Sequence, residues 1–493
     1  MSEPSLSVAT AHPDARRHAL IESVGAFFDS GAVFEALARR VALPTESQNP
    51  ARAPVLRAYL CEEITPVFEA MGFVCRLIDN PDPRGGPMLF AERIEDPDQI
   101  TVLGYAHGDV IRGLEGQWRD ERDPWRLQAS GDRWYGRGTA DNKGQHTINL
   151  LALAHVLRTR AAEQGRAPEQ WGEARLGFNA RFLIETGEEV GSPGLHAVCA
   201  AHREALAADV LIASDGPRVS AHRPTLFLGS RGALNFDLVV EPRAGAHHSG
   251  NWGGLISNPG IVLAQALSVI LDRRGRIQIP AWRPDSLSAA VRAALADVEV
   301  EGGPQGPQIE PDWGEPGLSP AERVYGWNAF EILAFETGNP ARPVSAIPGR
   351  AWARCQLRFV VGTQVDDILP ALRRHLDSHG FEAVRIEPSS EGYFPATRLE
   401  LDHPWAQWTA TSIQRSTGLS PAILPNLGGS LPNDAFSEIL GLPTVWVPHS
   451  YPGCSQHAPD EHLLGSVARQ ALQMMAGLYW DLGETAVPGR HRP

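Results

Sequence analysis

The sequence has few cysteines and lacks the spacings with which cysteines build structural sites. Five cysteines occur among 493 residues. They are odd in number and scattered, without a C-x-x-C pair, and they are Cys61, Cys75, Cys199, Cys355 and Cys454. This distribution argues against both a disulfide framework and a thiolate zinc site. Any metal in this protein must therefore be bound by histidines and carboxylates.

The sequence also lacks a long apolar run and an excess of basic residues. No stretch approaches the roughly 18 apolar residues of a membrane helix, and the N-terminal segment has neither the basic nor the apolar region of a signal peptide. Lys+Arg number 44 against 58 Asp+Glu, which gives a formal charge of −14. Clusters of basic residues that would bind nucleic acid are absent from the sequence. We expect a cytoplasmic protein with no membrane and no nucleic acid partner.

Lysine is nearly missing. Lys143 is the only lysine among the 44 basic residues. A chain that otherwise uses arginine can keep a lysine where a compact ammonium group is needed and a guanidinium does not fit.

Helix and strand signals alternate along the first part of the chain. The pattern predicts a strand that begins over residues 101–103 and leads into the segment 104–109, a strand over 209–213 and a helix over 143–158. Apolar strands that alternate with helices are typical of a mostly parallel sheet with helices on both faces. Polar side chains at the carboxyl ends of such strands are where sites form. We expect residues 1–228 and 397–493 to form this α/β domain.

The pattern changes at about Ser230. Strands and helices are predicted in the order β-α-β-α-β, once a Pro/Gly-rich span near 301–320 is set aside. This order is compatible with a small α+β unit that has helices on one face of an antiparallel sheet. Residues 229–396 are therefore predicted to form a smaller domain inserted into the first.

Five polar segments lie at predicted strand ends or turns. They are H-G-D from residue 107, G-R-G-T-A-D-N-K-G from 136, E-T-G-E-E-V-G-S from 185, S-D-G from 214 and H-A-P-D-E from 457. Each segment alone has an ordinary explanation as a turn, a helix cap or a solvated charge. Two histidines and three of the carboxylates, taken from separate segments, would suit two divalent ions that share one bridging carboxylate.

Two further carboxylates have a chemical use beside such a site. Of the adjacent Glu188 and Glu189, one can bind metal while its neighbour moves a proton. Asp109 follows His107 by two residues and is placed to orient its imidazole ring.

These segments resemble, in order, the motifs of the M20 family of metallopeptidases, which includes carnosine dipeptidases, aminoacylase, acetylornithine deacetylase and glutamate carboxypeptidase. The resemblance runs from about Thr101 to Glu461, and the stretches LDRRGRIQIP and SAIPGRAWARCQLRFV look most like the carnosine and nonspecific dipeptidase branch. It implies an α/β fold, with a mostly parallel-sheet catalytic domain of zinc-peptidase type and an inserted smaller α+β lid domain. It also implies a homodimer formed through the lid.

The resemblance implies a role for each residue of the site. Glu188 is the expected general base, Asp109 the clamp on His107, and the Asp141–Asn142 peptide bond is expected to be cis. The expected metal ligands are His107 and Asp215 for one ion, Glu189 and His457 for the other, and Asp141 as the bridge.

The inserted domain also carries motifs that resemble those of the family. His248, in the pattern H-S-G-x-x-G-G, matches a histidine that contacts a substrate carbonyl, often in the partner subunit's site; the neighbouring His247 competes for this role. Arg358 matches the lid arginine that binds the substrate carboxylate. Ser430, in G-G-S-L-P, matches a serine that helps to hold the same carboxylate.

The leading interpretation is a dinuclear metal-dependent dipeptidase for dipeptides or short peptides with a free C-terminal carboxylate. An N-acyl amino acid amidohydrolase or a carboxypeptidase of the same family is the alternative, and a noncatalytic metal-binding scaffold protein is the third. Two divalent metal ions are expected, zinc first, with manganese or cobalt as alternatives. The expected substrate is a small peptide or an N-acyl amino acid.

Overall fold

The structure is a computed structural model that describes residues 13–300 and 307–489. Its strands, in chain order, are β1 (Val74–Ile78), β2 (Met88–Arg93), β3 (Thr101–His107), β4 (Gln128–Ser130), β5 (Arg133–Tyr135), β6 (Asn179–Glu185), β7 (Val210–Ala213), β8 (Thr225–Phe227), β9 (Gly232–Val240), β10 (His247–His248), β11 (Ala329–Thr337), β12 (Ala346–Ile347), β13 (Ala351–Phe359), β14 (Arg385–Phe394), β15 (Ala422–Leu424), β16 (Thr444–Trp446) and β17 (His462–Leu464).

The α-helices lie between the strands and on either side of them in the described part of the chain. In chain order they are α1 (Pro13–Asp29), α2 (Ala32–Val41), α3 (Ala53–Ala58), α4 (Thr65–Ala70), α5 (Lys143–Glu163), α6 (Leu195–Ala201), α7 (Arg203–Leu206), α8 (Ser249–Trp252), α9 (Pro259–Ile270), α10 (Ala289–Leu295), α11 (Pro320–Tyr325), α12 (Val365–Ser378), α13 (Pro404–Thr417) and α14 (Gly465–Glu484). Among the described residues, no helix combines the length and the apolar character that crossing a membrane requires.

The larger sheet has eight strands in the order β1-β2-β6-β3-β7-β16-β8-β15. Its centre is parallel, because β3 pairs in parallel with β6 and β7, and β7 pairs in parallel with β16. Antiparallel pairs occur at β1–β2, β2–β6 and β16–β8. The predicted mostly parallel sheet is confirmed.

Both faces of the larger sheet are apolar and covered. Val102 and Ile212 join one hydrophobic cluster, whereas their chain neighbours Leu103 and Leu211 join another. Side chains alternate between the two faces of a strand, so each face needs its own cover. Helices α1, α2, α5 and α14 supply the first cluster, and α6 and α10 contribute to the second.

The smaller sheet is antiparallel, with four strands in the order β11-β13-β9-β14. Alternate residues of β13 are buried, because α9 and α12 pack on one face of the sheet. The predicted α+β unit is therefore confirmed. The predicted order β-α-β-α-β is wrong, because it omits β11, which follows α11 and has mostly exposed residues, and the two-residue strands β10 and β12.

Two helices connect the smaller unit to the larger sheet. Val291 and Leu295 of α10 and Ala321 of α11 belong to the cluster on the second face of the larger sheet. These helices lie within the inserted part of the sequence, between β9 and β13. α10 packs against β15, and Asp297, just after α10, pairs with Arg223, just before β8.

Candidate metal centre

The polar segments converge because their strands are neighbours. His107 is the last residue of β3, which pairs with both β6 and β7. Glu188 and Glu189 lie in a 3-10 turn just after β6, and Asp215 follows β7. The carboxyl ends of parallel strands lie at the same edge of a sheet, so these side chains meet there.

One group of possible metal ligands contains His107, Asp141 and Asp215, all buried. Nε2 of His107 lies 2.9 Å from Oδ1 of Asp141 and 3.5 Å from Oδ2 of Asp215. Oδ2 of Asp215 is buried and has no hydrogen-bond partner among the described residues.

A second group contains Asp141, Glu189 and His457. Nε2 of His457 lies 3.1 Å from Oδ2 of Asp141 and 3.0 Å from Oε2 of Glu189. Asp141 thus belongs to both groups, with a different carboxylate oxygen facing each one.

These donors fit a pair of divalent cations. Nitrogen and oxygen ligands lie about 2.0–2.2 Å from a zinc ion, so two ligands of one ion are at most about 4.4 Å apart. The separations of 2.9 to 3.5 Å within the two groups meet this limit. A cation would also give the unpartnered oxygen of Asp215 the interaction that a buried carboxylate needs.

The charge balance of the centre also favours bound cations. Burial raises the pKa of Glu188 well above its usual value, against the effect of His107. Burial and Asp141 raise the pKa of Glu189 to about 7 and also raise that of Asp215. Crowded, buried carboxylates resist ionisation until a positive charge is supplied, and bound divalent ions supply it.

Glu188 differs from the other carboxylates of the centre. Its Oε2 atom lies 3.9 Å from Nε2 of His107, and it belongs to neither group of possible ligands among the described residues. It lines the adjacent cavity together with Asp141 and Asp215. Its carboxylate is therefore close to the centre and open to a substrate.

Asp109 contacts both sides of the centre. Its Oδ1 atom lies 3.4 Å from Nδ1 of His107. Its two carboxylate oxygens accept hydrogen bonds from the backbone N–H groups of Glu188 and Glu189, at 3.2 and 3.1 Å. The backbone carbonyl oxygen of Asp109 lies 3.1 Å from the same Nδ1 atom, so Asp109 contacts the imidazole with two groups and also holds the turn that carries the two glutamates.

Glu461 is a residue beside the centre whose structural role sequence reasoning missed. Its buried carboxylate accepts hydrogen bonds from the backbone N–H groups of Gly138, Ala140 and Asp141 and pairs with Arg137 at 2.7 Å. It therefore fixes the loop that presents Asp141. The H-A-P-D-E segment contains this glutamate, but from the sequence alone its carboxylate could equally well interact with the dipole of a helix.

The chain after Asp141 is fixed just as closely. The Asp141–Asn142 peptide bond is cis, as predicted. The ammonium group of Lys143 is buried and donates hydrogen bonds to the carbonyl oxygens of Arg40 and Leu43, at 2.9 and 2.6 Å. A compact ammonium group can donate hydrogen bonds to two carbonyl oxygens in this buried position. This accounts for a lysine at position 143 in a chain that otherwise uses arginine.

A cavity of about 510 Å³ extends from the metal centre. Asp141, Glu188 and His457 line one part of it, and Arg358 and Ser430 line another. Nη1 of Arg358 donates a hydrogen bond of 3.1 Å to Oγ of Ser430. The predicted carboxylate-binding residues therefore share one cavity with three of the predicted metal ligands, Asp141, Asp215 and His457.

His248 lies apart from this cavity. It is exposed, and its Nδ1 atom accepts a hydrogen bond of 3.1 Å from the backbone N–H of Gly250. His247 contacts the ring of Trp252 instead. Neither histidine lines the cavity beside the metal centre.

The sequence and the fold both have known relatives. The model of "Peptidase family M20/M25/M40" matches residues 103–481. Beta-Ala-His dipeptidase from Homo sapiens is 26% identical over 413 residues, which is 76% of this chain and 74% of that protein. Cysteinylglycine-S-conjugate dipeptidase from Corynebacterium striatum is 25% identical over 343 residues, or 68% of this chain and 70% of that protein.

Two solved structures share the fold. Human carnosine dipeptidase 1 superposes with a TM-score of 0.73 at 21% identity, over 94% of this chain and 99% of that one. The M20 family metallo-carboxypeptidase Sso-CP2 from Sulfolobus solfataricus superposes with a TM-score of 0.74 at 23% identity, over 92% and 99% of the two chains.

Proposed function

The chain belongs to peptidase family M20/M25/M40, and from this premise we propose that it is a dinuclear metal-dependent dipeptidase acting on substrates with a free C-terminal carboxylate. The observation that carries the proposal is Asp141, whose two oxygens face separate groups of histidine and carboxylate donors. Curated relatives over most of the chain are dipeptidases by name. The proposed ions are zinc, with manganese or cobalt as alternatives.

The proposed ligands divide the donors between the two ions. His107 and Asp215 would hold one ion, Glu189 and His457 would hold the other, and Asp141 would be shared between them. Cations bound there would lower the pKa of a water molecule and polarise the scissile carbonyl.

Other residues of the chain carry out proton transfer and bind the substrate. Glu188 takes the proton of the attacking water and passes it to the leaving amine, which is general base and then general acid catalysis by one carboxylate. Asp109 keeps His107 oriented. Arg358 and Ser430 bind the C-terminal carboxylate of the substrate and so fix its position in the cavity.

We propose that residues 229–396 act as a lid and join two subunits. β11 is an edge strand of the smaller sheet and exposes Ile332, Leu333 and Phe335. An apolar edge strand with free backbone groups suits pairing with a second chain. In such a dimer, His248 of one subunit would contact the substrate carbonyl in the other subunit's site, which agrees with its exposed position here.

A substrate panel tests the proposed function. Metal-stripped protein reloaded with zinc or manganese is assayed on Ala-Xaa dipeptides and on the matching N-acetyl-Xaa compounds. The proposal expects hydrolysis of the dipeptides and little hydrolysis of the acetylated compounds. The opposite preference would identify an N-acyl amino acid amidohydrolase.

A cytoplasmic location stays a prediction, which cell fractionation checks.

A further inference from the structure

The cavity beside the metal centre has an apolar wall, and we propose that this wall selects dipeptides whose C-terminal residue has an apolar side chain. The inference rests on the proposed function, which places the C-terminal carboxylate of the substrate at Arg358 and Ser430. It adds the chemical class of the side chain next to that carboxylate.

Val324 and Tyr325 lie directly against the loop that carries Ser430. A Cβ atom added to Gly428 would lie 3.0 Å from Cγ1 of Val324 and 3.6 Å from Cε1 of Tyr325. Both residues end α11, and both line the cavity together with Arg358 and Ser430. A carboxylate bound at Ser430 therefore brings its own Cα atom and side chain close to these two residues.

The wall continues on the side of the larger sheet. Val219, Leu424, Leu427 and Leu431 line the same cavity, and each of them is largely buried. The cavity volume of about 510 Å³ lies within the range of about 300–1,000 Å³ that is typical of small-molecule sites. The cavity thus has room for a dipeptide, and its walls around the loop that carries Ser430 consist mainly of aliphatic side chains with the ring of Tyr325.

The charged groups of the cavity already have other partners. The lining carboxylates among the described residues are Asp141, Glu188 and Asp215, all in the metal centre. Arg218 also lines the cavity, but its guanidinium donates to the carbonyl of Pro448 at 3.2 Å and to Oε1 of Gln470 at 2.6 Å. An acidic C-terminal side chain would lose its hydration, while the two arginines that line the cavity already donate hydrogen bonds to Ser430, Pro448 and Gln470.

Three dipeptides with side chains of similar size test the inference. Ala-Leu, Ala-Asn and Ala-Asp are assayed with the metal-loaded protein. We expect kcat/KM for Ala-Leu to exceed the values for Ala-Asn and Ala-Asp by about 100-fold or more. Of the three side chains, only that of leucine can be buried against the wall without a polar group that loses its hydrogen bonds to water. Rates within about threefold of one another would overturn the inference, since that spread is well under 1 kcal/mol.

Variants at Val324 test the wall itself. Val324→Arg places a guanidinium beside the substrate side chain and should move the Ala-Asp to Ala-Leu ratio by at least about tenfold toward Ala-Asp. Val74→Arg, at an exposed valine of β1, is the matched control and should leave the ratio unchanged. If Val324→Arg does not fold, Val324→Thr keeps the size of the side chain and should weaken the preference for Ala-Leu several-fold, by about 1 kcal/mol. An unchanged ratio in a folded, metal-loaded variant would overturn the inference.

Calorimetric titration of the Glu188→Gln variant with the same dipeptides separates this inference from the proposed function. Preferential binding of Ala-Leu, with no dipeptide hydrolysed by the native protein, would support the apolar wall and reject the dipeptidase. Hydrolysis of all three dipeptides at similar rates would support the dipeptidase and reject the wall. Absence of both hydrolysis and preferential binding would reject both.

Discussion

At the scale of single residues, a substitution of Glu188 tests the proposed chemistry separately from the proposed metal binding. It lines the cavity but stands outside both ligand groups, so Glu188→Gln should keep the metal content and lower kcat by about 100-fold or more. Turnover and metal content by mass spectrometry check this. Glu22→Gln, at an exposed glutamate of α1, is the control. Near-normal turnover of Glu188→Gln would remove Glu188 from its role.

Substrates with and without a free C-terminal carboxylate test the proposed role of Arg358. Arg358→Ala should lower kcat/KM by about 10- to 100-fold for substrates with a free C-terminus, because a charge-assisted hydrogen bond is lost. The same substrates with an amidated C-terminus serve as the control, since they lack the carboxylate. An equal loss on both sets would contradict the assignment.

The sequence predicts which residues lie together at the site when each of them stands at or just after the end of a strand. His107, Glu188 and Asp215 each follow a strand closely, and neighbouring parallel strands bring their ends together. Glu461 gives no such signal, because its partners lie more than 300 residues earlier in the chain. Such a contact depends on the assembled fold and is invisible to local patterns.

At the scale of elements, the loop that presents Asp141 depends on Glu461. Glu461→Gln would leave Arg137 buried without its anionic partner and place an amide donor against backbone N–H groups. Breaking a buried pair in this way should lower the free energy of unfolding by about 3 kcal/mol. It should also weaken zinc binding, which competition with a chelator measures. Urea midpoint and zinc affinity both equal to those of the native protein would show that the loop does not need Glu461.

The edge strand β11 gives a second prediction for an element. Leu333→Lys places a charge on the exposed apolar edge and should convert the proposed dimer, about 107 kDa or twice 53.5 kDa, into a monomer. Light scattering during gel filtration measures the mass. Leu419→Lys, at an exposed leucine outside the smaller sheet, should remain dimeric. A native protein of monomeric mass would reject the dimer.

At the scale of the whole molecule, the cavity depends on chain segments that are far apart. Leu424 and Leu431 come from one end of the chain, Val219 follows β7, and Val324 comes from the segment between β9 and β13. Strand and helix periodicity predicted the two kinds of sheet, since periodicity is a local property. It could not predict that α10 and α11 pack on the larger sheet, because that packing joins distant segments through side-chain shape and burial.

The central claim is that one aspartate bridges two cations, and a crystal structure of the zinc-loaded protein tests it most directly. Anomalous difference density at the zinc edge should show two peaks, with Oδ1 and Oδ2 of Asp141 each about 2.0–2.2 Å from a different peak. A single peak, or two peaks that do not share Asp141, would contradict the account.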